Sequence, residues 1–110
     1  MSLTKEGKLS ECLISSNCVL VEWGFDELNH KYERLIEIAA ELPRTLTLER
    51  TNTYWHGVCR SLIFRFPDDL EILKLSENGV IQVRSASRFG IGDLGVNRSR
   101  VNYLYNQLMK

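Results

Sequence analysis

The sequence predicts an α+β domain in which a four-stranded antiparallel meander carries an N-terminal and a C-terminal helix on one face, as a two-layer sandwich. Two segments, one near each end of the chain, have apolar residues at helical spacing. Four extended segments lie between them, and their short polar connections make neighbouring strands antiparallel. The length of 110 residues suits a single domain, with residues 1–11 as a polar lead that we expect to be disordered.

The first helix is expected between Asp26, as its N-cap, and about Leu42. Residues 17–23 form a short extended piece before it. Pro43 ends the helix, because proline disfavours helical geometry in the residue that precedes it. The apolar stripe of this helix consists of Leu28, Tyr32, Leu35, Ile36 and Ala39.

The four strands are predicted over residues 44–51, 54–66, 70–75 and 80–87. The Pro-Asp-Asp sequence at 67–69 predicts a turn before the third strand, and Asn78-Gly79 predicts a tight hairpin before the fourth. In the second strand, alternation places one set of side chains on a common face. That set is Val58, Leu62, Phe64 and Phe66.

The last helix is expected from about Arg98 to Met109, with Asn97 as its N-cap. Its apolar side chains recur at helical spacing and predict one buried stripe. The stripe consists of Val101, Leu104, Tyr105 and Leu108.

Composition and charge exclude several classes of protein. Apolar residues make up 44% of the chain, with seven Gly and two Pro, which excludes collagen, coiled coil and disorder. No apolar run approaches the roughly 20 residues of a membrane span. The net charge of zero argues against a binder of duplex nucleic acid. The first residues lack the apolar run of a secretory signal, so we expect a cytoplasmic location.

Three cysteines cannot all pair within one chain. We expect Cys12 and Cys18 to be thiols in a reducing compartment, although their closeness permits a disulfide under oxidising conditions. Together with His56 and Cys59 they would make a zinc set of three cysteines and one histidine. However, His56 and Cys59 point to opposite faces of a strand. The sequence therefore predicts neither a metal nor a cofactor.

Residues 84–100 stand out because they carry four Arg against one Asp, with three Gly before a helix. Arg98 and Arg100 fall in the first turn of that helix, where the helix dipole disfavours cations. Two explanations stay open on the residues alone. Either carboxylates pair with the arginines, or an anion binds to the exposed N–H groups and is held by the guanidinium groups. The carboxylates available for pairing are Asp68, Asp69 and Asp93.

The same segment carries a resemblance to a family. Residues 83–90 (Val-Arg-Ser-Ala-Ser-Arg-Phe-Gly) and 93–98 (Asp-Leu-Gly-Val-Asn-Arg) resemble the signature of the family called domain of unknown function 1499. Residues 12–18 and 66–71 are similar to two further family segments in the same order, so the resemblance spans roughly residues 12 to 108. The family name implies no activity, so the resemblance supports the fold and the position of a site.

The leading functional hypothesis is a non-enzymatic binding or accessory module with an arginine-lined pocket. Its partner is an anionic small molecule or a protein. The predicted ligand-binding residues are Arg84, Ser85, Ser87, Arg88, Asp93, Asn97 and Arg98, with Asp68, Asp69, Asn17 and Cys18 as secondary candidates.

Two alternatives stay open beside this hypothesis. The first is a small enzyme whose site uses aspartates and arginines, although the sequence identifies no catalytic residue. The second is a structural interaction module in which the same residues form a salt-bridged network. The residues shared by both alternatives are Asp68, Asp69, Arg84, Arg88 and Asp93.

Overall fold

A computed structural model describes residues 7–62, 65–89 and 94–110, and these ranges contain five strands and two α-helices. The elements follow one another as β1 (Cys18–Gly24), α1 (Leu28–Ala40), β2 (Thr45–Arg50), β3 (Tyr54–Arg60), β4 (Pro67–Leu75), β5 (Val80–Ser87) and α2 (Val96–Leu108). The strands form one antiparallel sheet with the order β1-β5-β4-β3-β2. The predicted α+β class, with an antiparallel sheet and two helices, is confirmed.

The prediction of four strands is wrong, because the extended piece before α1 is a fifth strand. This strand, β1, pairs with β5 from Cys18 opposite Ala86 to Gly24 opposite Val80. Without it, β5 would be an edge strand with one row of backbone N–H and C=O groups unpaired. The partner strand lies more than 50 residues away in the chain, so no local pattern identifies this pairing.

The predicted boundary between β3 and β4 is also wrong. The strand expected to reach residue 66 ends at Arg60, and the expected turn at 67–69 is the start of β4. Leu62 and Phe66 are therefore exposed, and Phe64 lies outside the described residues. Proline is tolerated at the first position of a strand, where its missing N–H costs least.

Neither helix has the N-cap that its sequence predicts. Glu27 caps α1 and Gly95 caps α2, both with left-handed backbone and neither with a side-chain capping hydrogen bond. Asn97 lies inside the first turn of α2 and is fully buried. Its amide is used in contacts across the fold, as described below, and is not free to cap the helix.

The two faces of the sheet have different surroundings. On one side of the sheet, every second side chain of a strand points toward the two helices and packs with them in one core. We call this side the helix face. The other side, which we call the second face, has a smaller cluster built on Tyr54, Leu73 and Leu9. Leu9 belongs to the lead that was expected to be disordered, yet it is buried and its N–H donates to Gln82 Oε1 at 2.9 Å. The helix-face core includes Leu35, Ile36, Trp55, Leu70, Ile72, Ile81, Val83, Val101 and Leu104.

The predicted helical stripes are largely confirmed. Only their margins differ: Leu28 is partly buried, and Tyr105 is exposed with its ring 4.9 Å from the Trp23 ring. No helix in the described ranges is long and apolar enough to cross a membrane. The stripe residues that are buried are Tyr32, Leu35, Ile36, Ala39, Val101, Leu104 and Leu108.

The cysteines divide into a bonded pair and a buried thiol. Cys12 and Cys18, expected as thiols, form a disulfide that closes the segment before β1. Cys59 is free and lies in the helix-face core, where burial raises the pKa of its thiol. His56 points to the second face, so the four residues of the zinc set do not meet. Among the residues that the structure describes, no group of three or more His, Cys, Asp or Glu is arranged to hold a metal ion.

Candidate functional site

The antiparallel register brings one end of every strand together. At this end Cys18, the first residue of β1, lies opposite Ala86 near the end of β5. Pro67, the first residue of β4, lies opposite Arg60 at the end of β3. The described parts of four connections lie around this end, namely residues 12–17, 41–44, 61–62 with 65–66, and 88–89 with 94–95. We call this end of the molecule the arginine end, since it carries Arg44, Arg60, Arg65, Arg88 and Arg100.

On the helix face, a buried ion pair lies at the arginine end. Arg100 NH1 is 3.0 Å from Asp68 Oδ2, and the two side chains are only 11% and 6% exposed. The same nitrogen donates to Ser85 Oγ at 3.0 Å and to Asn97 Oδ1 at 2.9 Å. Ser85 Oγ in turn donates to Asn97 Oδ1 at 2.6 Å. The Asp68 carboxylate therefore neutralises a cation that α2 buries in its first turn.

The amide of Asn97 extends this network to the segment before β1. Its Nδ2 donates to the carbonyl of Asn17 at 3.2 Å and to Ser87 Oγ at 3.0 Å. The Ser87 N–H donates to the same carbonyl at 2.9 Å. Five predicted residues, Asn17, Asp68, Ser85, Ser87 and Asn97, thus meet here, but they bond to one another and to Arg100 in the interior. The network fastens β1, β5 and α2 together.

On the second face, Asp69 is the centre of another cluster. Arg88 donates to it twice, from Nε to Oδ2 at 2.8 Å and from NH2 to Oδ1 at 2.9 Å. His56 Nε2 is 2.7 Å from Oδ1. Burial alone would raise the pKa of Asp69, but the hydrogen bonds from Arg88 and His56 outweigh it and hold the pKa below its ordinary value. Asp69 is therefore a carboxylate, which accepts the proton of His56 Nε2.

We expect Asp69 to make the stability of the fold depend on pH. Its pKa is lower in the folded state than in the unfolded state, so its contribution is present above about pH 4 and is lost as the pH falls through the folded-state value. Urea unfolding between pH 7 and pH 3 should show a steeper loss for the wild type than for Asp69→Asn. Asp26→Asn, at an exposed position, is the control and should follow the wild type. Parallel curves for wild type and Asp69→Asn would contradict this role.

Beside Asp69, a second buried carboxylate joins Tyr54 to Arg84. Tyr54 Oη donates to Glu71 Oε2 at 2.6 Å, and Arg84 NH1 is 3.7 Å from Glu71 Oε1. Burial, and then the hydrogen bond to Glu71, raise the pKa of Tyr54. Arg84 Nε is buried and has no hydrogen-bond partner among the described residues. Arg84, which the sequence predicts as a ligand-binding residue, is thus paired with Glu71.

The predicted site residues are therefore divided by the sheet. Arg84 and Arg88 lie on the second face, whereas Arg98 lies on the exposed side of α2 beside Trp23. Asp68 and Asp69 point to opposite faces, so one site cannot use both. Cys18 is held in the disulfide, and Asp93 lies outside the described residues.

A different set of arginines lines a cavity of about 490 Å³ at the arginine end. Among the residues that the structure describes, no acidic residue lines it. We call it the arginine cleft and define it by the basic residues Arg44, Arg60, Arg65 and Arg88 and the apolar residues Leu46, Leu48 and Val58.

Hydrogen bonds from side chains to backbone carbonyls link three of these arginines to one another. Arg44 and Arg65 have left-handed backbone, with φ of +55° and +58°, which is uncommon for a residue other than glycine. Arg44 Nε donates to the carbonyl of Arg60 at 3.0 Å, and Arg60 NH1 donates to the carbonyl of Arg65 at 3.1 Å. Within the described ranges, none of the three forms an ion pair.

Sequence reasoning found one member of the cleft, Arg88, and missed the other three. Arg44, Arg60 and Arg65 come from the connections around β2, β3 and β4, outside the motif at 84–100. The only sequence signal was strand alternation, which places Arg60 on the same face as Val58. Strand alternation alone does not identify the cleft, because the register of the sheet decides which other arginines lie beside Arg60.

The comparisons with known proteins concern nearly the whole chain. A family model described as "Protein of unknown function (DUF1499)" matches residues 8–108. The chain belongs to this family. The match runs from the segment before β1 to the end of α2 and includes the entire arginine cleft. No curated protein matches the chain. Membership in DUF1499 confirms the resemblance seen in the sequence, and its description names no activity.

Proposed function

We propose that this DUF1499 domain is a binding or accessory module whose arginine cleft takes a small anion with an apolar body. The observation that carries the proposal is the composition of the cleft: four arginines around an apolar wall, with no acidic residue among the described residues of the lining. Guanidinium groups recognise phosphate and carboxylate through paired hydrogen bonds, which lysine cannot imitate. An anion is the ligand that this lining favours.

The charge balance supports an anion over a neutral ligand. Asp69 neutralises Arg88, but Arg44, Arg60 and Arg65 have no carboxylate partner in the part of the chain that the structure describes. Like charges held together repel one another, and a bound anion removes that repulsion. The positive φ of Arg44 and Arg65 adds a backbone cost at two of the positions that would contact the anion.

The apolar wall defines the rest of the ligand. Leu46 and Leu48 are 65% and 51% exposed on the edge strand β2, and Val58 lies beside them. An apolar group bound against these side chains would remove their surface from water. A phosphate or carboxylate joined to a ring or a short alkyl chain fits both parts of the lining.

Phenyl phosphate is a suitable probe, with inorganic phosphate and phenol as its two halves. We expect phenyl phosphate to raise the Tm of the wild type at constant ionic strength, by mass action equivalent to about 2.7 kcal/mol at a hundred times its Kd. Inorganic phosphate should raise the Tm less, and phenol should not raise it. Arg60→Gln should abolish the response, since Arg60 lies between Arg44 and Arg65 in the cleft.

Arg34→Gln is the matched control, because Arg34 is an exposed arginine on α1 that pairs with Glu37. It should respond to phenyl phosphate as the wild type does. If Arg60→Gln and wild type respond equally, or if the wild type shows no response to either phosphate, the cleft is not an anion site.

A second candidate function is acid–base catalysis on a ligand in this cleft, and the hydrogen bond between His56 and Asp69 favours it. Asp69 accepts a hydrogen bond from Nε2–H, and in the neutral imidazole this arrangement makes Nδ1 the ring nitrogen that carries the lone pair. Arg88 connects this pair to the cleft. A panel of phosphate and carboxylate esters tests the candidate. Turnover that His56→Gln abolishes, with the Tm response intact, supports it; no turnover by the wild type dismisses it.

A further inference from the structure

Several connections at the arginine end carry apolar side chains that face water. Leu13 and Leu94 are 95% and 102% exposed, in the segment before β1 and directly before α2. Phe89 follows β5, and Leu62 and Phe66 lie between β3 and β4. We call the apolar tips Leu13, Ile14, Leu62, Phe66, Phe89 and Leu94, all of which are exposed.

Backbone hydrogen bonds hold these connections close to one another. The carbonyl of Asn17, which ends the segment with Leu13, accepts from the N–H of Ser87 at 2.9 Å. The carbonyl of Pro67 accepts from the N–H of Arg88 at 3.1 Å, which joins the connection with Phe89 to the start of β4. The tips therefore stand on one end of the molecule.

The opposite end has the contrary character. Its connections, over residues 25–27, 51–53 and 76–79, contain three carboxylates and no arginine or lysine. The structure describes every residue of these three connections, and none of the connections contains an exposed large apolar side chain. The connections at the two ends of the sheet therefore differ: those at one end are acidic and have no exposed large apolar side chain, and those at the other end combine arginines with the apolar tips.

We propose that the arginine end docks on an anionic lipid bilayer, with the apolar tips inserted between the head groups and the arginines against lipid phosphates. The inference shares its arginines with the proposed function and deepens it by assigning the anion to a lipid head group. Peripheral binding of this kind needs both apolar insertion and attraction to anionic lipid, and the arginine end supplies both.

The arrangement of the tips favours a bilayer over a protein partner. A protein interface has a packed apolar core inside a polar rim. Here the apolar side chains protrude from separate connections, with Arg44, Arg65 and Arg88 among them. Protruding apolar side chains with interspersed cations suit a surface of head groups, which can move aside to admit them.

Co-sedimentation with vesicles tests the docking. The wild type should sediment with vesicles of 70% phosphatidylcholine and 30% phosphatidylglycerol and not with pure phosphatidylcholine, and the binding should weaken as salt is raised. A tip variant with Leu13→Ser, Phe89→Ser and Leu94→Ser should lose about tenfold or more in partitioning. Its fold and its Tm response to phenyl phosphate should be unchanged, because all three side chains are exposed.

Met109→Ser is the control, since Met109 is exposed at the far end of α2. It should bind vesicles as the wild type does. Failure of the wild type to bind anionic vesicles, equal binding to both lipids, or equal binding by the tip variant overturns the docking. So does a dimer, seen by sedimentation velocity, that the tip variant abolishes. If phenyl phosphate raises the Tm but vesicles do not bind, the docking is wrong and the cleft remains an anion site. If vesicles bind but phenyl phosphate does not raise the Tm, the docking stands and the proposal of a small soluble anion in the cleft is wrong.

Discussion

Asp68→Asn is expected to lower the free energy of unfolding by about 3–5 kcal/mol, because it leaves the buried Arg100 guanidinium without its counter-ion. The asparagine has nearly the shape of the aspartate, so the loss reports the charge and not a cavity. Ser85 and Asn97 still accept from Arg100, but neither carries a negative charge. Urea unfolding of wild type and variant at pH 7 measures the difference.

Asp26→Asn is the matched control for this variant, since it makes the same change at an exposed position. Its cost should stay within about 0.5 kcal/mol. Adding Arg100→Gln to Asp68→Asn should recover part of the loss, because no buried charge then remains. A loss for Asp68→Asn as small as that of Asp26→Asn would show that the pair does not stabilise the fold.

Gly57→Ala is the second substitution with a large expected effect, a loss of about 1–3 kcal/mol or more from overpacking. A Cβ at this position would overlap Cη2 of Trp55 and lie 2.9 Å from Cζ2 of the same ring. The indole is fully buried. Strand β3 therefore needs a residue without a side chain at position 57, because the ring of Trp55 occupies that space.

Trp55→Phe distinguishes this clash from an ordinary effect on the strand. Phenylalanine lacks the two ring atoms concerned, so Gly57→Ala should cost far less in a Trp55→Phe background than in the wild type. Gly24→Ala is the control, since the nearest atoms to its Cβ would be 3.9 Å away. Equal costs of Gly57→Ala in the two backgrounds would exclude the indole as the cause.

Part of the site could be expected from the sequence. The motif at 84–100 contains several of the residues that bond to one another at the arginine end, but Asn17 and Asp68 join them from distant segments. The expectation that carboxylates pair with arginines holds for Asp69 with Arg88 and Asp68 with Arg100. The alternative of a bound anion at Arg84, Arg88 and Arg98 would need side chains from both sides of the sheet. A linear motif does not reveal this, because adjacent strand residues point to opposite faces.

The sequence by itself determined the α+β class, the two helical stripes, the hairpin at Asn78-Gly79 and the presence of an unusual polar segment before α2. These follow from local periodicity and turn chemistry, which act between residues a few positions apart. Only the tertiary structure decided that β1 completes the sheet and that Arg44, Arg60 and Arg65 join Arg88 around one cleft. The physical reason is that strand pairing and buried ion pairs depend on partners that are distant in sequence, and the free energy of those contacts is gained only when the whole sheet is assembled.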